Sequence, residues 1–172
     1  MTEVGITLEQ LLESRETRWN RQKNLTAAHP DLTLLCLTII IPGSVKRNAH
    51  SLIAAEAATK AITQALGNTL QLHEEYDLKT GFEAYFMTSE TQENAKRLAC
   101  SIEDGHELGR LFDIDVLSSD VQPISREQIG LSPRRCMLCN HEARFCMRNH
   151  THSTEELLAY IEKLTENYVR RI

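Results

Sequence analysis

No stretch of this 172-residue chain approaches the roughly eighteen consecutive apolar residues that a bilayer-spanning helix needs. The longest apolar run, Leu34 to Ile41, is broken by Thr38 and closed by Pro42. The opening Met1-Thr2-Glu3-Val4-Gly5 lacks a basic segment leading into an apolar one, so no secretory signal is read and a cytoplasmic location is expected. Positive charge is not in excess either: the formal net charge is -5, which argues against general attraction to nucleic acid or to an anionic membrane. Phosphate recognition must then be local. Aromatic residues make up only 5%, and the predicted strands lack the stacking rings of an RNA-binding sheet. Neither nucleic acid nor membrane is expected as a partner. Internal repeats and low-complexity tracts are also missing. The five cysteines cannot all pair, and three cluster at Cys136, Cys139 and Cys146. In a reducing compartment such clustering points to a metal before it points to disulfides.

With 41% hydrophobic and 25% charged residues the composition is globular, and the length suits one domain able to bury a core without disulfide staples. A single domain over 1–172 is expected, with a core at about 30–125 and a Cys/Arg-rich segment plus terminal helix at about 126–172.

Spaced apolar positions from Thr7 to about Ala28 read as an amphipathic helix, with Thr7 and Gln10 as a capping box. Leu32 to Ile41 reads as a buried strand stopped by Pro42-Gly43-Ser44. Asn48 or Ser51 starts a helix that runs through an Ala-rich stretch to Leu66 and ends at Gly67-Asn68. Thr69 to Asp77 and Gly81 to Thr88 form a hairpin, Thr88-Ser89 caps a helix reaching roughly Glu103, and Leu111 to Leu117 is a fourth strand. Val121 to Ser125 is expected to pair back on that strand, Ile129 to His152 to be loop-like, and Ser153 with Glu156 to cap a final helix. The order is that of an α+β, ferredoxin-like βαββαβ core: an antiparallel sheet with helices on one face and the other face free for function.

Within the fourth strand, Asp113 and Asp115 share one face, while Phe112, Ile114 and Val116 take the other. Paired carboxylates repel unless a cation sits between them, and Mg²⁺ bridging to phosphate oxygens is the usual occupant. A solvated sheet edge is the competing explanation. Just upstream, Gly109 would let a ligand approach the backbone, and Arg110 suits bidentate phosphate binding, or a salt bridge. His106 precedes the motif and is a candidate for proton transfer.

The second constellation is Cys136-x2-Cys139-x6-Cys146-x5-His152. Two thiolates of a C-x2-C knuckle, a third Cys and a His can complete tetrahedral zinc, with His150 and His141 as competing fourth ligands; reduced, partly buried thiols are the alternative. With four positions filled the zinc would be structural. Around it lie Arg126, Arg134, Arg135, Arg144 and Arg148, whose forks suit phosphate, although individually each also suits a nearby acid. Lys46 and Arg47 would join this pocket if the first and fourth strands are neighbours. Cys36, Cys100 and Trp19 read as packing residues.

Taken together, His106-x-Leu108-Gly109-Arg110-Leu111-x-Asp113-Ile114-Asp115-Val116, Pro133-Arg134-Arg135-Cys136-x-Leu138-Cys139, Ala143, Cys146-x-Arg148 and His152 resemble the apo-citrate lyase phosphoribosyl-dephospho-CoA transferase family, also called holo-citrate lyase synthase. Leu11-Leu12-x-Ser14-Arg15-x-x-Arg18 and the strand ending Pro42-Gly43 extend the resemblance over most of the chain. It implies a nucleotidyl-type transfer of a prosthetic group. The donor would be the triphosphoribosyl precursor of dephospho-CoA, the acceptor a serine of the citrate lyase acyl carrier protein, and the by-product pyrophosphate. Residue chemistry then assigns Asp113 and Asp115 to Mg²⁺, Gly109, Arg110, Arg134, Arg135 and Arg148 to phosphate or donor binding, and His106 to proton transfer. The alternative is a non-enzymatic zinc-binding module that docks a partner protein.

Overall fold

The computed structural model describes residues 4–172. Helix α1 spans Leu8–Ala28 and begins at the expected capping box: Thr7 Oγ1 accepts from the Gln10 amide while Gln10 Oε1 accepts from that of Thr7. Strand β1 (Thr33–Ile39) leads to helix α2 (Ala49–Leu66), capped reciprocally by Asn48 and Ser51. Strands β2 (Leu70–Leu78) and β3 (Gly81–Thr88) form the hairpin, followed by helix α3 (Gln92–Gly105) and strand β4 (Phe112–Leu117). Helices α4 (Ala143–Asn149) and α5 (Thr154–Val169) complete the chain.

The sheet order is β2-β3-β1-β4 with every neighbour antiparallel, which is the ferredoxin-like arrangement. Strand β3 lies between β1 and β2, splitting the first βαβ unit. On one face Leu35, Leu37, Phe86, Ile114 and Val116 pack against α2 and α3. Ala54, Ala55, Ala58, Ala95 and Ala99 supply much of the helix contribution, and such short side chains bring the helix axes close to the sheet.

The opposite face is not free. Leu34, Cys36, Tyr85, Met87 and Leu117 form a second apolar cluster with Leu25 of α1, and burial pushes the Cys36 thiol up to about 12. Helix α1 is fastened there by Glu83, which is 2% exposed. Its carboxylate accepts from Arg18 Nε at 3.0 Å and Tyr85 Oη at 2.7 Å, while Arg21 lies over the Tyr76 ring at 3.7 Å.

Other departures are local. The cap of α3 is Thr91 rather than Thr88-Ser89, because Thr88 is buried in β3 and bonded to Thr69 Oγ1. Val121 to Ser125 pairs back on β4 only briefly, at a Leu117–Pro123 bridge flanked by Ser118 N–H donating to the Gln122 carbonyl and Ile124 N–H donating to the Val116 carbonyl, both at 2.9 Å. The segment read as loop contains α4, too short to show a periodic pattern and lacking a side-chain N-cap. Trp19 is 49% exposed and lies under the Lys23 ammonium instead of packing inside. No helix among the described residues is long and apolar enough to cross a membrane.

Candidate active site

Strand β4 is an edge strand, and its outer edge is closed by a side chain. The Ile114 N–H donates to Glu103 Oε1 at 2.9 Å, and Glu103 is 5% exposed at the end of α3. The same carboxylate receives Arg126 Nη2 at 2.6 Å and lies 3.5 Å from Arg134 Nη1. One buried acid thus gathers two arginines from the segment after β4.

That segment is clasped to the turn preceding the strand. Arg134 Nη2 donates to the carbonyls of Gly109 and Arg110 at 3.0 and 2.8 Å, and Arg110 Nη1 donates to the Arg135 carbonyl at 2.9 Å. Gly109 belongs to this wall: a Cβ there would lie 2.2 Å from the Glu103 carbonyl oxygen. Close approach of α3, not of a ligand, accounts for the glycine.

Between β4 and the Cys/Arg segment lies a cleft of about 720 Å³. Asp113, Asp115, Arg110, Arg134, Arg135, Cys136, Cys146 and His152 all line it, so the two motif segments meet in space. Lys46 lines it as well, since β1 and β4 are paired, and its Nζ donates to the Ile41 carbonyl at 2.6 Å. Arg47 turns away to a bidentate contact with Asp77, both bonds 2.7 Å.

Asp113 and Asp115 share their sheet face, opposite Thr38 and Cys36 of β1. Thr38 Oγ1 donates to Asp113 Oδ2 at 3.4 Å. Burial first, and the neighbouring Asp113 charge second, push Asp115 up to about 6, while Lys96 and Arg18 pull it back. A carboxylate pair short of positive charge fits a divalent cation that brings its remaining ligands from a phosphate chain.

Gly109 and Cys139 back the cleft without lining it, and His106 and Arg148 lie elsewhere. His106, at the end of α3, packs between the Phe112 and Tyr168 rings, with centroids at 5.0 and 5.7 Å. Its Nδ1 accepts from the Leu108 amide at 3.0 Å, burial lowers its pKa, and it does not line the cleft. Arg148 is exposed on the last turn of α4 and does not line it either. Lys96 and Glu103 were not foreseen. The available signal was their position on the α3 stripe that also carries Ala99 and Cys100, where burial of a charge requires a purpose.

At the far wall, the Cys136, Cys139 and Cys146 sulfurs and a His152 nitrogen all lie within 4.8 Å of one another. Cys139 Sγ is 3.4 Å from both Cys146 Sγ and His152 Nε2. The knuckle delivers two thiols, α4 delivers Cys146, and His152 precedes the Ser153 cap of α5. His141 instead stacks on Phe145 with its Nδ1 3.6 Å from Cys139 Sγ. Burial raises the Cys136 pKa, but backbone N–H groups of Leu138 and Cys139 together with hydrogen bonds from the Cys146 and Cys139 side chains bring the thiol down to about 7. Burial, with hydrogen bonds shared with Cys139 and Cys136, pushes Cys146 up to about 11. Four such donors can hold a metal ion, and no coordination position is left open for substrate.

Residues 6–168 match the family described as apo-citrate lyase phosphoribosyl-dephospho-CoA transferase. The chain belongs to this family. A relative from Streptococcus pyogenes serotype M18, named "Probable apo-citrate lyase phosphoribosyl-dephospho-CoA transferase", is 35% identical over 171 residues, covering 97% of this chain and 89% of that protein. A Vibrio cholerae serotype O1 protein of the same name is 37% identical over 173 residues, covering 96% and 95%. The protein CitXG of Haemophilus influenzae is 34% identical over 173 residues, which take in 95% of this chain but 36% of that longer protein. The family match includes every residue named for the cleft and the thiol cluster.

Proposed function

We propose that this transferase attaches the phosphoribosyl-dephospho-CoA group to a serine of the citrate lyase acyl carrier protein, using the triphosphoribosyl precursor as donor. The observation that carries the reading, beside family membership, is that the Asp113/Asp115 strand and the Arg134/Arg135 segment line one cleft. In the reaction the serine oxygen bonds to the α-phosphorus as the bond to pyrophosphate breaks. Such a transfer depends on positioning and charge neutralisation more than on covalent chemistry by the protein.

Asp113 and Asp115 would hold Mg²⁺, which supplies positive charge at the phosphate chain when bound. Arg110 lines the cleft and keeps guanidinium N–H groups beyond the one given to the Arg135 carbonyl, and these would bind phosphate. Arg134 acts as a positioning residue, since its bonds fix the Arg110 backbone. Cys136, Cys139, Cys146 and His152 would hold a structural Zn²⁺, the metal favoured by three thiols and an imidazole. A cytoplasmic setting suits a site that needs reduced thiols. His106, Gly109 and Arg148 have no donor contact in this scheme. A zinc module that merely docks a partner leaves the half-buried carboxylate pair and its cleft without purpose.

Pyrophosphate release tests the reading. The full chain with donor, apo-carrier protein and Mg²⁺ is expected to release it, and release without carrier protein, or none at all, contradicts the proposed acceptor chemistry.

A further inference from the structure

Lys96 lies on α3 with 7% exposure and lines the cleft. Its stem is buried, while its Nζ is not among the fully enclosed polar atoms left without a partner, so the ammonium opens on the cleft. The neighbouring cations Arg110, Arg126, Arg134, Arg135 and Lys46 all donate to protein oxygens. Lys96 has neither a hydrogen bond nor an ion pair among the described residues. Arg144, also without a protein partner among the described residues, is exposed and can be solvated. The ammonium acts on the Asp115 carboxylate through space and keeps its N–H groups for an anion in the cleft.

We propose that Lys96 contacts the pyrophosphate leaving group, donating to a phosphoryl oxygen of the donor's polyphosphate chain. The polyphosphate's identity rests on the transferase reading, whereas the need for an anion rests on the cleft alone. As the serine oxygen–phosphorus bond forms, the serine proton passes to solvent. The electron pair of the breaking phosphorus–oxygen bond stays on pyrophosphate. Negative charge grows there, and an ammonium already in place favours its departure.

Calorimetric titration of the full chain with inorganic pyrophosphate in Mg²⁺ tests the assignment without donor or carrier. The wild-type protein is expected to bind, Lys96→Met to bind about 10- to 100-fold more weakly, and Lys96→Arg to recover most of the loss. Circular dichroism checks that each variant is folded, and Mg²⁺ binding without pyrophosphate should not weaken in Lys96→Met. In turnover, kcat should fall more than KM rises. Wild-type affinity in folded Lys96→Met, or no pyrophosphate binding by the wild-type protein, overturns the assignment. If Lys96→Met loses stability but keeps pyrophosphate affinity, the lysine serves only to neutralise the carboxylates and the assignment again fails. The transferase reading fails on a different result, the absence of a mass gain on the carrier serine.

Discussion

Arg134 holds the backbone of Gly109: its Nη2 donates to that carbonyl at 3.0 Å and to the following carbonyl, of Arg110, at 2.8 Å. Residues 25 and 24 positions apart in the chain are locked together here, and the same guanidinium lies 3.5 Å from Glu103. The clasp makes the Asp strand and the Cys/Arg segment walls of one cleft.

Removing the clasp while keeping bulk, as in Arg134→Met, is expected to cost about 2–3 kcal/mol, because charge-assisted bonds are lost and buried Glu103 keeps fewer partners. Urea unfolding measures it. A variant of wild-type stability would mean that the two segments do not depend on Arg134.

Gly109→Ala places a methyl 2.2 Å from the Glu103 carbonyl oxygen, a backbone atom that cannot simply swing aside. The expected loss is about 1–3 kcal/mol from overpacking, with stability affected before any change in donor affinity. Unchanged stability with weakened donor binding would return Gly109 to the ligand-approach role suggested by its sequence context.

How much of this was legible follows from which forces act locally. Caps at Thr7 and Ser153 require only neighbours three residues away and form as the sequence indicates, while of the two starts left open, Asn48 and Ser51, the structure takes Asn48 as the cap with Ser51 completing the box. The βαββαβ order likewise follows from alternating periodicities and turn residues. The long-range fastening of α1 by Glu83, Arg18 and Tyr85 has no local signature, so the sheet face it covers looked open. At the site, the spacing of Asp113 and Asp115 and of the cysteines was readable because strand and knuckle geometry are local. His106 illustrates the opposite case: motif proximity suggested proton transfer, while tertiary packing places the ring between Phe112 and Tyr168. Lys96 and Glu103 were hidden because two charges on a helix ordinarily face water.

Asp115 gives a pH signature. Its carboxyl is raised from 3.8 to about 6, so between these values the folded chain holds a proton that the unfolded chain has lost. Its stabilising contribution is therefore complete below 3.8 and lost as pH rises through about 6. Asp115→Asn, neutral throughout, is expected to exceed the wild type by about 1–3 kcal/mol near pH 8 in EDTA and to match it near pH 4. Urea titrations at the two pH values decide this, and a variant less stable near pH 8 would refute the burial cost. Mg²⁺ requires the ionised form, so wild-type affinity for it should decline below about pH 6.

Zinc analysis of protein purified without chelator should find one ion per chain, and none in Cys139→Ser, whose lost sulfur lies 3.4 Å from both Cys146 and His152. The melting temperature should fall by roughly 5–10 °C, corresponding to a few kcal/mol in a chain of this size. Full zinc occupancy in Cys139→Ser would remove this sulfur from the metal set.

The most direct measurement of the central claim is the intact mass of purified apo-carrier protein after incubation with the triphosphoribosyl donor, Mg²⁺ and this protein, compared with Asp113→Ala. The expected result is a mass gain of one phosphoribosyl-dephospho-CoA group on the carrier serine with the wild-type protein and none with folded Asp113→Ala. An unmodified carrier in the wild-type reaction, with an acceptor shown to be competent, would contradict the transferase account. A full mass gain with Asp113→Ala would remove the carboxylate pair from its centre.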